Sequence, residues 1–282
     1  MRVDVVEQRS LRFDDGGPVR AASAVARLGG AWLVAQDDAV HAALVAGSGV
    51  TRLRLLPDVE GRSVFGEADG TKHLKPDLEA ACPVPGPDGR PGVLLLGSGS
   101  TPARARGCLV RPDRSVEVLD LAAVQARVAA ALGVPELNAE GACLVGDRLR
   151  WFHRGGHGEA PGSADLDLAA LLAGEAEVRA TTAYDLGDVD GVALAVTDAL
   201  ALPGGRVLVS VAAEDAPDAV ADGPVVATGL ALLDGPELVD LALLPDPHKV
   251  EGLAPDGDAY VAVVDDDDPE RPSTMLRLRV GW

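Results

Sequence analysis

Five positions in this sequence open an apolar run at nearly even intervals. They are Ser23, Glu79, Glu140, Asp198 and Glu251, separated by 56, 61, 58 and 53 residues. All but Ser23 are carboxylates. Brought round one axis, they would repel one another by about 1–4 kcal/mol per pair at a few ångströms. Three kinds of compensation are open. A hard divalent cation such as Ca²⁺ or Mg²⁺ takes oxygen ligands of this type. Raised pKa values would turn the carboxyls into general acids or bases. Basic neighbours are the third. Lys75 and Lys249 stand four and two residues before Glu79 and Glu251, while Arg104, Arg106 and Arg154 lie at or just past the ends of the second runs.

Each opening run leads through a Gly/Asp turn into a second apolar run and a polar cluster. The clusters are Gln36-Asp37, Ser98 with Ser100, His153-Arg154, Glu214-Asp215 and Asp265-Asp266. In an antiparallel hairpin the end of the second strand returns to the start of the first. Clusters and carboxylates are therefore expected at one mouth. Glu79, Glu140, Asp198 and Glu251 are the candidate catalytic groups, and with Asp265 they are the candidate metal ligands. Lys75, Lys249, Arg104, Arg154, Ser98 and Ser100 are the candidate substrate contacts. Internal salt bridges that hold the units in register are the structural alternative.

The elements that position these residues are strands. The interval averages 57 residues, and five such units fill the 282-residue chain. Beyond each hairpin come further apolar stretches bounded by Gly, Pro or Asp, such as 41–46 and 50–56, 106–110 and 115–119, or 225–232 and 237–243. Their length and bounding residues are the strand signal. Four strands per unit, repeated radially, is the plan of a β-propeller. The last unit, ending in 274–280, is one strand short, and an orphan strand at 2–13 precedes the first unit. Pairing the two closes the ring and removes free sheet edges. Residues 121–132 have helical spacing ended by Gly133. Residues 166–174 read as a third strand or a helical turn, and 58–69 as a polar loop.

Glu140-Gly141 and Glu251-Gly252 each begin an apolar run that passes through a Gly/Asp turn into a strand ending in Asp or Arg. Glu79-Ala80 and Asp198-Ala199 are looser copies, and Ser23-Ala24 departs. The pattern resembles the repeat of phytase-like and SdiA-regulated-like propellers and, more distantly, that of the gluconolactonase (senescence-marker) family, with an uncharacterised bacterial propeller family as the alternative match. The gluconolactonase likeness implies a metal ligand at the Glu-Gly strand start. The facing Asn ligands of that family have no counterpart in this sequence.

Composition excludes several classes. With 47% hydrophobic residues the chain is too apolar to be disordered. Its 25 basic and 44 acidic residues give a net charge of −19, which opposes nucleic acid and anionic lipid. No run approaches the roughly 20 apolar residues of a spanning helix, and the first residues lack a leader's pattern. A cytoplasmic protein is expected. Only Lys72, Lys75 and Lys249 are lysines, and Ala, Gly, Val, Arg and Asp dominate. That is the mark of a GC-rich bacterial genome, so Ala content is no helix signal. Cys82, Cys108 and Cys143 lack C-x-x-C spacing and read as small buried hydrophobes.

Other motifs carry less. Residues 154–158 are Gly-rich without the strand-to-helix context of a phosphate loop. Ser98 or Ser100 could be a nucleophile only with a base in reach, and His153 and His157 are the candidates. His41, His73 and His248 stand isolated. The run 265–268 lacks the Gly and Glu of an EF-hand loop and reads as a solvated loop. The expectation is one all-β domain over 1–282, a five-bladed β-propeller of four-stranded blades, with six blades the alternative. Its expected function is metal-assisted hydrolysis of a small anionic ester, phosphoester or lactone at the channel mouth. The alternatives are a non-catalytic ligand- or protein-binding propeller, and a lyase or cyclase of secondary metabolism with a mouth carboxylate as acid or base. A monomer without organic cofactor is expected.

Overall fold

A computed structural model describes residues 1–156, 158–215, 223–246, 248–265, 268 and 270–282. The N-terminal strand β1 (Arg2–Ser10) comes first. Blade 1 holds β2 (Ala22–Leu28), β3 (Ala31–Gln36), β4 (His41–Ala46) and β5 (Gly49–Arg54). Blade 2 holds β6 (Leu78–Val84), β7 (Gly92–Gly97), β8 (Arg106–Val110) and β9 (Val116–Asp120), and is followed by helix α1 (Ala122–Leu132). Blade 3 holds β10 (Ala139–Val145), β11 (Arg148–His153), β12 (Gly162–Asp167), a short helix α2 (Leu168–Leu172) and β13 (Val178–Ala183). Blade 4 adds a two-residue strand β14 (Asp188–Val189) to β15 (Val192–Ala201), β16 (Val207–Glu214), β17 (Val225–Asp234) and β18 (Glu237–Leu243). Blade 5 holds β19 (Val250–Asp256), β20 (Ala259–Val264) and β21 (Thr274–Gly281).

These sheets make a five-bladed β-propeller, as the interval predicts. The closing strand is also where the sequence puts it: β1 pairs antiparallel with β21, completing the order β1-β21-β20-β19. The inner strands β2, β6, β10, β15 and β19 pack side by side in a closed ring. The inner and middle strands are buried on both faces and read as largely unbroken apolar runs, whereas the outermost strands β1, β5, β9, β13 and β18 are largely exposed. Residues 93–96 of β7 are all 0% exposed. Five apolar clusters fill the five blade interfaces.

Three stretches without a simple strand pattern find their place. Helix α1 ends on Gly133 at φ 74°, a left-handed position that favours glycine, and it buries Val124 and Val128 between blades 2 and 3. Residues 166–174 split, with the strand ending at Asp167 and its side chain capping α2 through Ala170 N at 3.0 Å. The polar loop 58–69 is pinned by Phe65, 1% exposed in the cluster between blades 1 and 2. The cysteines are buried and free, and burial pushes the Cys82 and Cys108 thiols up to about 12. Among the described residues no helix is long and apolar enough to cross a membrane.

Candidate functional site

Each inner strand is interrupted by a register shift, between Ala22 and Ala24, Leu78 and Ala80, Ala139 and Gly141, and Val250 and Gly252 at the strand start, and between Val196 and Asp198 midway along the longer β15. A bulge leaves one extra residue outside the ladder and re-aims its side chain. The extra residues are Ser23, Glu79, Glu140, Thr197 and Glu251. The structure therefore puts Thr197, not Asp198, at the ring position of blade 4. The two hydroxyls do one job. Ser23 Oγ donates to Leu78 O and Thr197 Oγ1 to Val250 O, each at 2.5 Å, tying a blade to the residue before the next blade's ring glutamate. Asp198 lies one step deeper, where its Oδ2 accepts from Leu253 N of blade 5 at 2.6 Å. It does not line the mouth cavity. Burial lifts its pKa well above the usual range despite the backbone N–H groups around it.

The remaining ring glutamates do converge. Glu79, Glu140, Glu251 and Asp265 line one small cavity of about 90 Å³ together with Lys75, Arg104, Arg154 and Lys249. The charges sort into two clusters. On the blade 1–2 side, Lys75 Nζ lies 2.6 Å from both Asp37 Oδ2 and Asp77 Oδ1, and Arg104 Nη1 lies 2.9 Å from Asp77 Oδ2. Ser98 Oγ donates to Asp77, while Arg104 donates to Ser100 Oγ at 2.6 Å. On the opposite side, Arg154 bridges Glu140 at 3.4 Å and Glu214 at 2.6 Å, and Lys249 lies 3.5 Å from Glu251 and 3.7 Å from Glu214.

Asp77, Asp37 and Glu214 have larger roles here than sequence reasoning gave them. Asp77 stands two residues ahead of Glu79 at φ 54°, a left-handed conformation that Asp tolerates better than most residues. A Pro-Asp pair just ahead of an inner strand was the available signal. The Ser98 hydroxyl serves Asp77, and it makes no pair with His153, one of the two bases a serine nucleophile could have used. His153 instead accepts from Asn138 N at Nδ1 and meets Glu159 at 3.2 Å through Nε2, away from the mouth cavity. His157, Asp266 and Asp267 lie outside the described residues.

The carboxyls differ sharply in ionisation. Burial opposes the charge on Asp77, yet Lys75, Arg104 and the Ser98 hydroxyl outweigh it and hold its pKa below the usual value. Glu79 is 9% exposed and, among the described residues, accepts no hydrogen bond and makes no ion pair. Burial, then the Asp77, Glu140 and Asp37 carboxylates, push its pKa well up. Glu140 is raised by burial against the pull of Arg154, and Asp37 by burial against the pull of Lys75. Lys75 stays an ammonium, chiefly because Asp37 and Asp77 beside it overcome its burial. Oxygens of Asp37, Asp77 and Glu79 lie within 4.8 Å of one another, an oxygen-only donor set.

A model of a family of unknown function, DUF6910, matches residues 71–269, well over half of the chain. The chain belongs to DUF6910. The matched segment contains every mouth residue from Lys72 to Asp265, whereas Ser23 and Asp37 precede it. No curated protein matches the sequence. Solved structures similar to this DUF6910 chain are β-propellers of low identity. A hypothetical protein from Leishmania major aligns at TM-score 0.53 with 14% identity, over 98% of this chain and 91% of its own. A candidate glycoside hydrolase from Parabacteroides distasonis gives 0.51 with 12% identity, over 93% and 87%. The mannose phosphorylase MPT-4 from Leishmania mexicana gives 0.50 with 14% identity, over 97% and 88%. At such identities the likeness is one of fold.

Proposed function

We propose that the channel mouth hydrolyses a small anionic ester, phosphoester or lactone, with Glu79 as the proton donor. The observation that carries this is Glu79 itself, a buried carboxyl facing the cavity without a partner among the described residues and held in its acid form. Asp77, two residues away, is held ionised. Neighbouring carboxyls whose pKa values are driven apart are the pattern of an acid beside a permanent charge. Asp77 fixes Lys75 and Arg104, and with Arg154 and Lys249 across the cavity these place an anionic group. Water adds to the carbonyl carbon or phosphorus, the bond to the leaving oxygen breaks, and that oxygen takes the Glu79 proton. The proton released by the water restores the acid. A cavity of about 90 Å³ admits only the reacting end of the substrate, since whole ligands of drug size occupy roughly 300–1,000 Å³.

A divalent cation at Asp37, Asp77 and Glu79 is the second reading, favoured by the spacing of their oxygens. The donor set suits Ca²⁺ or Mg²⁺. Lys75 Nζ already stands between Asp37 and Asp77, so a cation enters only if that ammonium swings out, and Glu79 then becomes a carboxylate. Such an ion would polarise the substrate oxygen and acidify a water. Thermal unfolding with Ca²⁺, Mg²⁺ and EDTA separates the two. No shift with any of them supports the acid reading, and a saturable upward shift lost in Glu79→Gln supports the cation. Binding of an ester without turnover would favour a non-catalytic module.

A further inference from the structure

The turn after β3 divides two sites. Asp37 lines the mouth cavity, and the next residue, Asp38, lines a separate open cleft of about 880 Å³ on blade 1. We propose that this cleft binds a multiply charged oxyanion of metabolite size, a phosphorylated or polycarboxylate small molecule, at a site distinct from the mouth. Four guanidinium groups border it, those of Arg12, Arg20, Arg52 and Arg54, against the carboxyls of Asp38 and Glu270. Four arginines gather here in a chain of net −19. Guanidinium forks match phosphate and carboxylate oxygens in pairs. The arginines are partly held already: Arg20 by Asp38, Arg52 by Asp15 and by the face of Phe13 at 3.7 Å, Arg54 by Asp58. These contacts orient the forks while leaving the Arg52 and Arg54 side chains 42% and 51% exposed. His41 is the second observation. It is 9% exposed and borders the cleft, and its ring makes no hydrogen bond among the described residues. Its ring lies tilted against Phe13, at 5.8 Å between ring centroids. An imidazole in that position offers one N–H to an oxyanion. The volume falls in the range of small-molecule sites. Every residue bordering the cleft lies outside the segment matched to DUF6910.

Isothermal titration with pyrophosphate and with citrate at low salt tests this on the full chain. The expected result is one saturable site, weakened at least tenfold in the double variant Arg52→Gln/Arg54→Gln and unchanged in Lys249→Gln, with the tighter of the two probes naming the ligand class. Because both arginine side chains are exposed, the double variant is expected to keep the wild-type melting temperature. Arg12→Gln, also exposed, gives a second reading of the same site. No saturable binding of either probe overturns the proposal. So does binding that survives both cleft variants and is lost in Lys249→Gln, which would place the anion at the mouth. Loss of the Glu79 mechanism leaves this result unaffected.

Discussion

Glu79 and Asp77 show how two carboxyls a few ångströms apart acquire opposite characters. The difference lies in their partners, since Asp77 has two cations and a hydroxyl and Glu79 has none among the described residues. Glu79 in the folded chain titrates well above its unfolded value of about 4.5. Between those values the folded state holds one more proton, so its stability falls as pH rises through that window. Gln cannot ionise. Glu79→Gln should therefore keep or raise the melting temperature, with the gain growing as pH rises above about 4.5, and a large loss of stability would contradict the assignment. Asp77→Asn should do the reverse, costing about 3 kcal/mol in denaturant unfolding, because it strips a buried charge from Lys75 and Arg104. The ring of glutamates was legible in the sequence because each opens an apolar run. Asp77 was not, because its role depends on Lys75, Arg104 and Ser98 meeting across loops. Asp198 was misplaced by one residue, since the acid stands beside the bulge position that Thr197 fills.

The bulge is the element that aims the site. It recurs in all five inner strands, and the residue after it faces the neighbouring blade at close range. A Cβ on Gly141 would stand 2.7 Å from Ala199 N, and one on Gly252 would stand 2.7 Å from Val25 N. Gly141→Ala should therefore cost about 1–3 kcal/mol through overpacking, while Gly30→Ala, which meets nothing within 4 Å, should cost little. Chemical denaturation of the two variants reads the difference, and equal effects would mean that the blades yield at the bulge. Most strands were readable from run length and bounding Gly, Pro and Asp, and the helix from its spacing and Gly133. The short strand β14 and the anchoring of Phe65 were not, because neither leaves a periodic pattern and both depend on packing between blades.

At the scale of the whole molecule, the net charge of −19 divides into a mouth where acids are matched by lysine and arginine and an outer surface where the excess resides. Self-repulsion of that surface weakens the compact state and is screened by salt. The melting temperature should rise between about 0.05 M and about 0.5 M NaCl, and a fall would mean that the internal ion pairs, not the surface, dominate the electrostatics. The mouth itself exists only because the ring closes. Glu79 comes from blade 2, Glu140 and Arg154 from blade 3, Lys249 immediately precedes blade 5 and Glu251 lies within it, and β1 holds the last blade to the circuit. The most direct test is turnover of a panel of small anionic esters, phosphoesters and lactones by the wild-type chain and by Glu79→Gln. Hydrolysis of at least one class is predicted, with kcat/KM falling by about 10²–10⁴-fold in the variant at a melting temperature no lower than that of the wild type. Hydrolysis that survives the substitution, or a wild-type chain inert to every class, would contradict the account.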